Sequence, residues 1–191
     1  MNTIRKSTGL TTLLIAISLA TGCAPMAKTS KYMDAALTSP ASPPAGSALV
    51  CIHRPRVHNQ YKYYYMGIWD GTKFIADLGN GHSAGYICEP GEHYFMNLGP
   101  TVSPTCVQAQ LLPGKIYDLW IEDFKLKPLQ QGDKMKQRVA GWTVQDRWVT
   151  PDSSAAGYEQ RKQESIRQLL EKFISGNRHD HLQHMAAEDQ R

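Results

Sequence analysis

The stretch Gly67–Phe95, "GIWDGTKFIADLGNGHSAGYICEPGEHYF", decides the fold. Three turn signals cut it into short apolar pieces. Asp70-Gly71 is the strongest short hairpin signal, because a tight two-residue turn needs positive φ, which these residues tolerate. Gly79-Asn80-Gly81 is the second signal and Pro90-Gly91 the third. The pieces between them are "TKFIADL", "SAGYIC" and then "EHYFMNL". Each has the length and residue types of a strand.

The same grammar continues outward. Toward the C-terminus, "TCVQAQLL" ends at Pro113-Gly114 and "KIYDLWIED" follows. Val107, Ala109 and Leu111 alternate there with Cys106, Gln108 and Gln110, and Leu119 and Ile121 with Trp120 and Glu122. Period two turns the first sets inward and Cys106 away from the main core, toward solvent or under a covering segment. Toward the N-terminus, "YKYYYMGIW" is aromatic and β-prone, and "SALVCIH" is an apolar run closed by Pro55. Short strands with turn signals at this spacing predict a mainly-β fold, a small antiparallel β-sandwich, over residues 47–149.

Beyond the strands, Asp123–Gln137 is charged and aperiodic and reads as a loop. "RVAGWTVQDRWV" reads as a strand pair or a strap, with Trp142 and Trp148 covering the sandwich. Residues 150–176 then change period. Thr150 is a candidate N-cap with Pro151 at the first helical position. Ile166, Leu169, Leu170 and Phe173 fall at i, i+3, i+4 and i+7, one apolar stripe. Ser175-Gly176-Asn177 is a helix stop. This gives one C-terminal amphipathic α-helix, which packs on its own sandwich or docks in a partner's groove. Residues 177–191 read as a polar, frayed tail.

At the other end, Arg5 and Lys6 precede the compact apolar run Leu13–Leu19. A basic segment, a short apolar core and small residues make a signal peptide, residues 1–22. The run is shorter than the about 20 residues that span a bilayer. Ala20, Thr21 and Gly22 lead straight into Cys23, which resembles the lipobox of bacterial lipoproteins, with Ala20 where leucine is commoner. The resemblance implies a diacylglycerol on the Cys23 sulfur and an acyl chain on its new amine. Two or more chains anchor a protein firmly. Ala24, where Asp is absent, implies the outer membrane, with the body facing the periplasm. Residues 23–46 are then the lipidated Cys23 and a Pro/Ala/Ser-rich tether.

The 191-residue chain has a formal charge of +4, and removal of Arg5 and Lys6 leaves it nearly balanced. That lacks the basic footprint of a nucleic-acid binder. The expected partners are membrane lipid, through the anchor, and an envelope protein. With Cys23 acylated, Cys51, Cys88 and Cys106 remain. An oxidising compartment allows one disulfide among them and leaves one thiol, with the pairing open.

The order of turns resembles a family. "ALVCIHRPR", "GIWDGTKFIADLGNGHSAGYICEPGEHYF" and "AQLLPGKIYDLWI" resemble the domain of unknown function 2846 (DUF2846) of bacterial envelope lipoproteins. The matching positions are Arg54-Pro55, Asp70-Gly71, Asn80-Gly81, Pro90–His93 and Pro113–Lys115, within about Gly46–Asp123. The resemblance implies a small lipid-anchored β-sandwich and no particular activity.

Several groups invite a function. His179, Asp180, His181 and His184 carry metal-ligand chemistry, but a polar tail lacks the second shell that orients such rings. No cofactor is expected beyond the lipid on Cys23. His53, His58, His82 and His93, with Asp70 and Asp118, are candidates for a hydrolase only if hydrogen-bond reach assembles them with a nucleophile. Tyr61, Tyr63 and Tyr65 are either an interface or ordinary strand residues. Ile166, Leu170 and Phe173 would be the helix's docking face. The leading expectation is a non-enzymatic interaction or scaffold module. A peptidoglycan- or carbohydrate-binding domain using the tyrosines comes next, and a hydrolase third.

Overall fold

A computed structural model of the protein describes residues 32–36, 42–58, 60–100, 102–130, 137–138, 141, 147–178 and 181–190. Residues 1–31 with Cys23, and Trp142, His179 and Asp180, lie outside them, as does the side chain of Tyr61. The described strands are β1 (Met33–Ala35), β2 (Ala48–Arg54), β3 (Met66–Asp70), β4 (Lys73–Leu78), β5 (His82–Cys88), β6 (Gly91–Leu98), β7 (Thr105–Leu111), β8 (Ile116–Glu122), β9 (Lys125–Pro128), β10 (Arg147–Pro151) and β11 (Leu182–Met185). Helix α1 is Ala155–Ile174.

Two packed sheets make the mainly-β sandwich. One has the order β1-β10-β5-β2-β8-β9 and the other β11-β7-β6-β3-β4. Asp70-Gly71 closes the antiparallel β3–β4 hairpin as expected. The other turns do more than reverse the chain. Asn80-Gly81 carries it from the second sheet to the first, Pro90-Gly91 carries it back, and Pro113-Gly114 carries it across again.

The sheets are mixed rather than purely antiparallel. β2 pairs parallel with β8, β10 with β5, and β11 with β7. Parallel neighbours need a long crossover. Sheet-switching supplies it for β2 and β8, and α1 supplies it for β11. β2 is therefore an inner strand, buried at all seven residues. Val50 and Ile52 enter the main core, while Leu49 and Cys51 pack under Trp148 on the other face.

Four other expectations change. Part of the tether belongs to the domain: Met33 is buried, and β1 pairs antiparallel with β10. Part of the Asp123–Gln137 loop is β9, paired with β8. Thr150 and Pro151 end a strand, and the helix begins four residues after it, at Ala155 behind Ser154. There the Asp152 carboxylate accepts from the Ser154 backbone N–H at 2.7 Å. The tail is not frayed, because β11 lies along β7 with Met185 buried. Ala187 C=O also accepts from the Tyr117 hydroxyl at 3.1 Å.

The helix lies against its own sandwich. Ile166 and Phe173 are buried in the core cluster, with Leu169 and Leu170 packed partly against it. Full burial of each such side chain is worth about 1.5–3 kcal/mol. The Ser175 N–H bonds to Glu171 C=O at 2.8 Å where the helix ends. Cys106, expected to face away from the core, belongs to the same cluster. The register sets Cys106, Met96 and Trp69 side by side across β7, β6 and β3. Trp69 in turn meets Tyr158 of α1 at 5.8 Å.

Candidate functional site

An aromatic concavity is built from the end of β2 outward. Arg54 closes that strand and is nearly buried. Its Nη1 donates to the carbonyls of Tyr64 and, at 2.6 Å, Leu78. Burial lowers its pKa to about 10, against the opposing pull of Asp77 and Tyr65. Three residues on, Val57 N–H donates to Asn80 Oδ1 at 2.7 Å, and Asn80 Nδ2 donates back to Val57 C=O at 3.0 Å. The segment between β2 and β3 is thus pinned to the β4–β5 turn. Gly81 of that turn has φ +71°, and the Arg56 side chain lies where a Cβ would stand.

Pinned this way, the tyrosines do not form the strand expected of them. Gln60–Tyr63 make a 3-10 turn, and β3 begins only at Met66. Tyr63 is 73% exposed, with the Lys62 ammonium 4.9 Å from its ring. Tyr64 meets Phe124 edge-on at 6.0 Å.

Tyr63, Tyr64 and Tyr65 form one wall of a cleft of about 550 Å³. Tyr158, Lys162 and Ser165 of α1 form the other. The floor is a cross-strand row, Asp77 on β4, Gly67 on β3 and Leu98 on β6. The middle member of the row has no side chain, and that leaves the groove. Tyr158 is held from behind by Tyr32, stacked at 4.2 Å and 19°.

Two residues along β3 from Gly67, outside the cleft lining, is an unpaired group. Trp69 is fully buried, and its Nε1–H has no hydrogen-bond partner. It lies 3.4 Å from where a Cβ on Gly67 would stand. A buried donor without a partner costs about 1–3 kcal/mol.

A second cleft, of about 420 Å³, lies beside Lys73, Tyr86, Cys88 and His93. Asp70, placed by its hairpin, accepts from His93 Nδ1 at 2.7 Å and from the Tyr86 hydroxyl at 3.1 Å. His93 Nε2 meets Glu89 C=O at 2.8 Å. Both ring nitrogens face acceptors, which only the imidazolium satisfies. The hydrogen bond to Asp70 accordingly raises the His93 pKa, against desolvation. Burial, with Asp70 adding to it, pushes the Cys88 thiol up to about 12, and burial does the same to Cys106. Protonated thiols are poor nucleophiles.

Among the described residues, Cys51, Cys88 and Cys106 are buried, and none of them is joined in a disulfide. The disulfide expected from their number does not form. Cys88 stands opposite Ala48, three residues out of register with Cys51, and Cys106 is in the other sheet.

The structure also joins His53 and Asp118, with a third partner the sequence did not single out. His53 Nδ1 lies 2.8 Å from Ser83 Oγ, and Nε2 lies 3.2 Å from Asp118 Oδ1. The composition is that of a hydrolase triad, but exposure is 0%, 0% and 2%. A substrate carbonyl could not reach Ser83 Oγ without displacing the packing, including Trp148, whose ring is 5.8 Å from His53. The trio ties β5, β2 and β8 together. Of the metal candidates, His184 is exposed on β11 and His181 sits just before that strand.

Sequence reasoning found the tyrosines but not Arg54, Gly67 or Tyr158 as parts of one site. An isolated glycine inside a strand pattern is the one local sign of a close approach there. No family model matches the chain, and no curated protein matches it.

Proposed function

We propose that the protein is a lipid-anchored, non-enzymatic binding module of the bacterial cell envelope that presents the tyrosine cleft to a ligand or partner. The observation that carries this is the cleft itself. It is large enough for a specific ligand, lined by aromatic faces, and bounded by a few polar groups. The His53–Ser83–Asp118 trio is sealed and the Cys88 thiol is held protonated, so the groups that could do covalent chemistry are poorly placed for it. The lipobox at Cys23 and the DUF2846-like order of turns favour the outer membrane, with the body in the periplasm.

Two measurements test this together. Cys23→Ser should abolish lipid labelling and move the protein out of the membrane fraction. A photo-crosslinking residue at Tyr63 should give defined adducts in cells that the same residue at the exposed Lys115 does not. Unchanged fractionation, or identical adducts from both positions, would overturn the proposal.

A further inference from the structure

A cleft of about 290 Å³ opens at the β4–β5 turn and shares no lining residue with the tyrosine cleft. Its described lining is Arg56, Asn80, Gly81, His82 and Arg147, which brings two guanidiniums together with no carboxylate among them. Arg56 follows β2 and Arg147 opens β10, yet both converge on Gly81. The Arg56 side chain lies against that glycine, with Nε 2.7 Å from where a Cβ would stand. The Arg147 backbone N–H donates to the Gly81 carbonyl at 3.1 Å, and Arg147 pairs with His82 across the two strands.

The acceptors of this lining are already in use. Asn80 Oδ1 accepts from Val57 N–H at 2.7 Å, and His82 Nδ1 accepts from Gly79 N–H at 3.2 Å. The Gly81 carbonyl is taken by Arg147. A neutral imidazole has one acceptor, so His82 has none left to offer. Among the described residues, no carboxylate or carbonyl engages the Arg56 guanidinium. The cleft therefore presents donors and positive charge. A concavity lined by one sign of charge concentrates the opposite sign in it.

The chemistry of the lining sorts the possible ligands. A cation meets like charge. A neutral hydroxyl compound leaves the charge uncompensated. A carboxylate has two oxygens, enough for one guanidinium fork. A phosphate has three or four oxygens, enough for a bidentate pair with one arginine and a further bond to the second.

We infer that this cleft is a phosphate-binding site, in which Arg56 and Arg147 hold one phosphate group beside Gly81. Two sources present that group: the headgroup of a membrane lipid, and a soluble phosphate or phosphate ester. The inference goes beyond the binding-module reading and does not use the tyrosine cleft.

The test uses the full chain carrying Cys23→Ser, so that no lipid anchor brings it to a vesicle. Inorganic phosphate is titrated by calorimetry, with acetate as the carboxylate comparison. In a second arm the chain is floated with phosphatidylcholine vesicles, with and without phosphatidic acid. At least one phosphate probe should bind, and more tightly than acetate or plain phosphatidylcholine. Arg56→Gln and Arg147→Gln should each weaken that binding about tenfold or more, the loss expected for a charge-assisted hydrogen bond. Arg56→Lys, which keeps the charge but not the fork, should also weaken it. Lys115→Gln, at an exposed lysine outside the cleft, should leave it unchanged. Both arginines are exposed, so each variant should keep the native Tm within about 2 °C. Binding of inorganic phosphate alone assigns a soluble source, and binding of phosphatidic acid vesicles alone assigns a headgroup. Absence of binding in both arms overturns the inference. So does binding that survives both arginine-to-glutamine changes, or acetate bound as tightly as phosphate.

Discussion

Phe173→Ala tests whether α1 belongs to the sandwich or waits for a partner. Phe173 is fully buried in the core cluster, and its neighbour Ile174 is 57% exposed. A buried aromatic ring removes about 150–250 Å² from water, of which alanine restores only a small part. At about 25 cal/mol per Å² the truncation costs roughly 3–4 kcal/mol, and a residual cavity adds to that. Alanine's better helix propensity returns less than about 1 kcal/mol. For a domain of this size each kcal/mol moves Tm by about 2–4 °C, so a drop on the order of 10 °C is expected. Ile174→Ala keeps the same helix register and loses far less burial than Phe173→Ala, so it should lie within about 1 kcal/mol of the native chain. Urea unfolding of both variants, in a Cys23→Ser background without detergent, gives the comparison. If Phe173→Ala matched Ile174→Ala, the helix would not be held by its own sandwich, and the cleft would lose its second wall.

Three further outcomes are expected. The raised pKa of His93 means that its ion pair with Asp70 stabilises the fold fully below the unfolded value of about 6.5 and fades as pH rises through the folded value. The stability gap between native and His93→Gln, measured by denaturant titration, should therefore be larger at pH 6 than at pH 9, and the reverse order would refute the pairing. Gly81→Ala should cost about 1–2 kcal/mol from the left-handed backbone alone, and more because Arg56 must move, as read by Tm. With their pKa values near 12, Cys88 and Cys106 should react with a thiol reagent at pH 8 on the order of a thousandfold more slowly than an exposed cysteine, until denaturant is added.

The strands were legible because their signals are local. Asp70-Gly71 and Pro113-Gly114 announce turns whatever the rest of the chain does, and Ile166 to Phe173 announce a helical stripe by spacing alone. The parallel pairings were not legible, because β2 meets β8 only after the chain has crossed between sheets four times. The tyrosine run misled for a related reason. Tyrosine favours strands, but Arg54 and Asn80 hold the backbone of the segment in another shape, and those hydrogen bonds join residues 10 to 24 apart in sequence. The cleft floor escaped notice because its row of Asp77, Gly67 and Leu98 is set by the pairing of three strands. Only Gly67, interrupting "YYYMGIW", left a mark on the sequence.

The stacking of Tyr32 on Tyr158 shortens the leash. A spacer running from Cys23 to residue 46 could pay out about 80 Å of fully extended chain, whereas nine residues from Cys23 to Tyr32 reach about 30 Å at most. With Cys23 acylated as proposed, the body cannot roam the depth of the compartment. The leash is also fastened to the ring that forms the helical side of the cleft, so the cleft mouth is kept within a short radius of the bilayer and whatever enters it must be met close to the lipid surface.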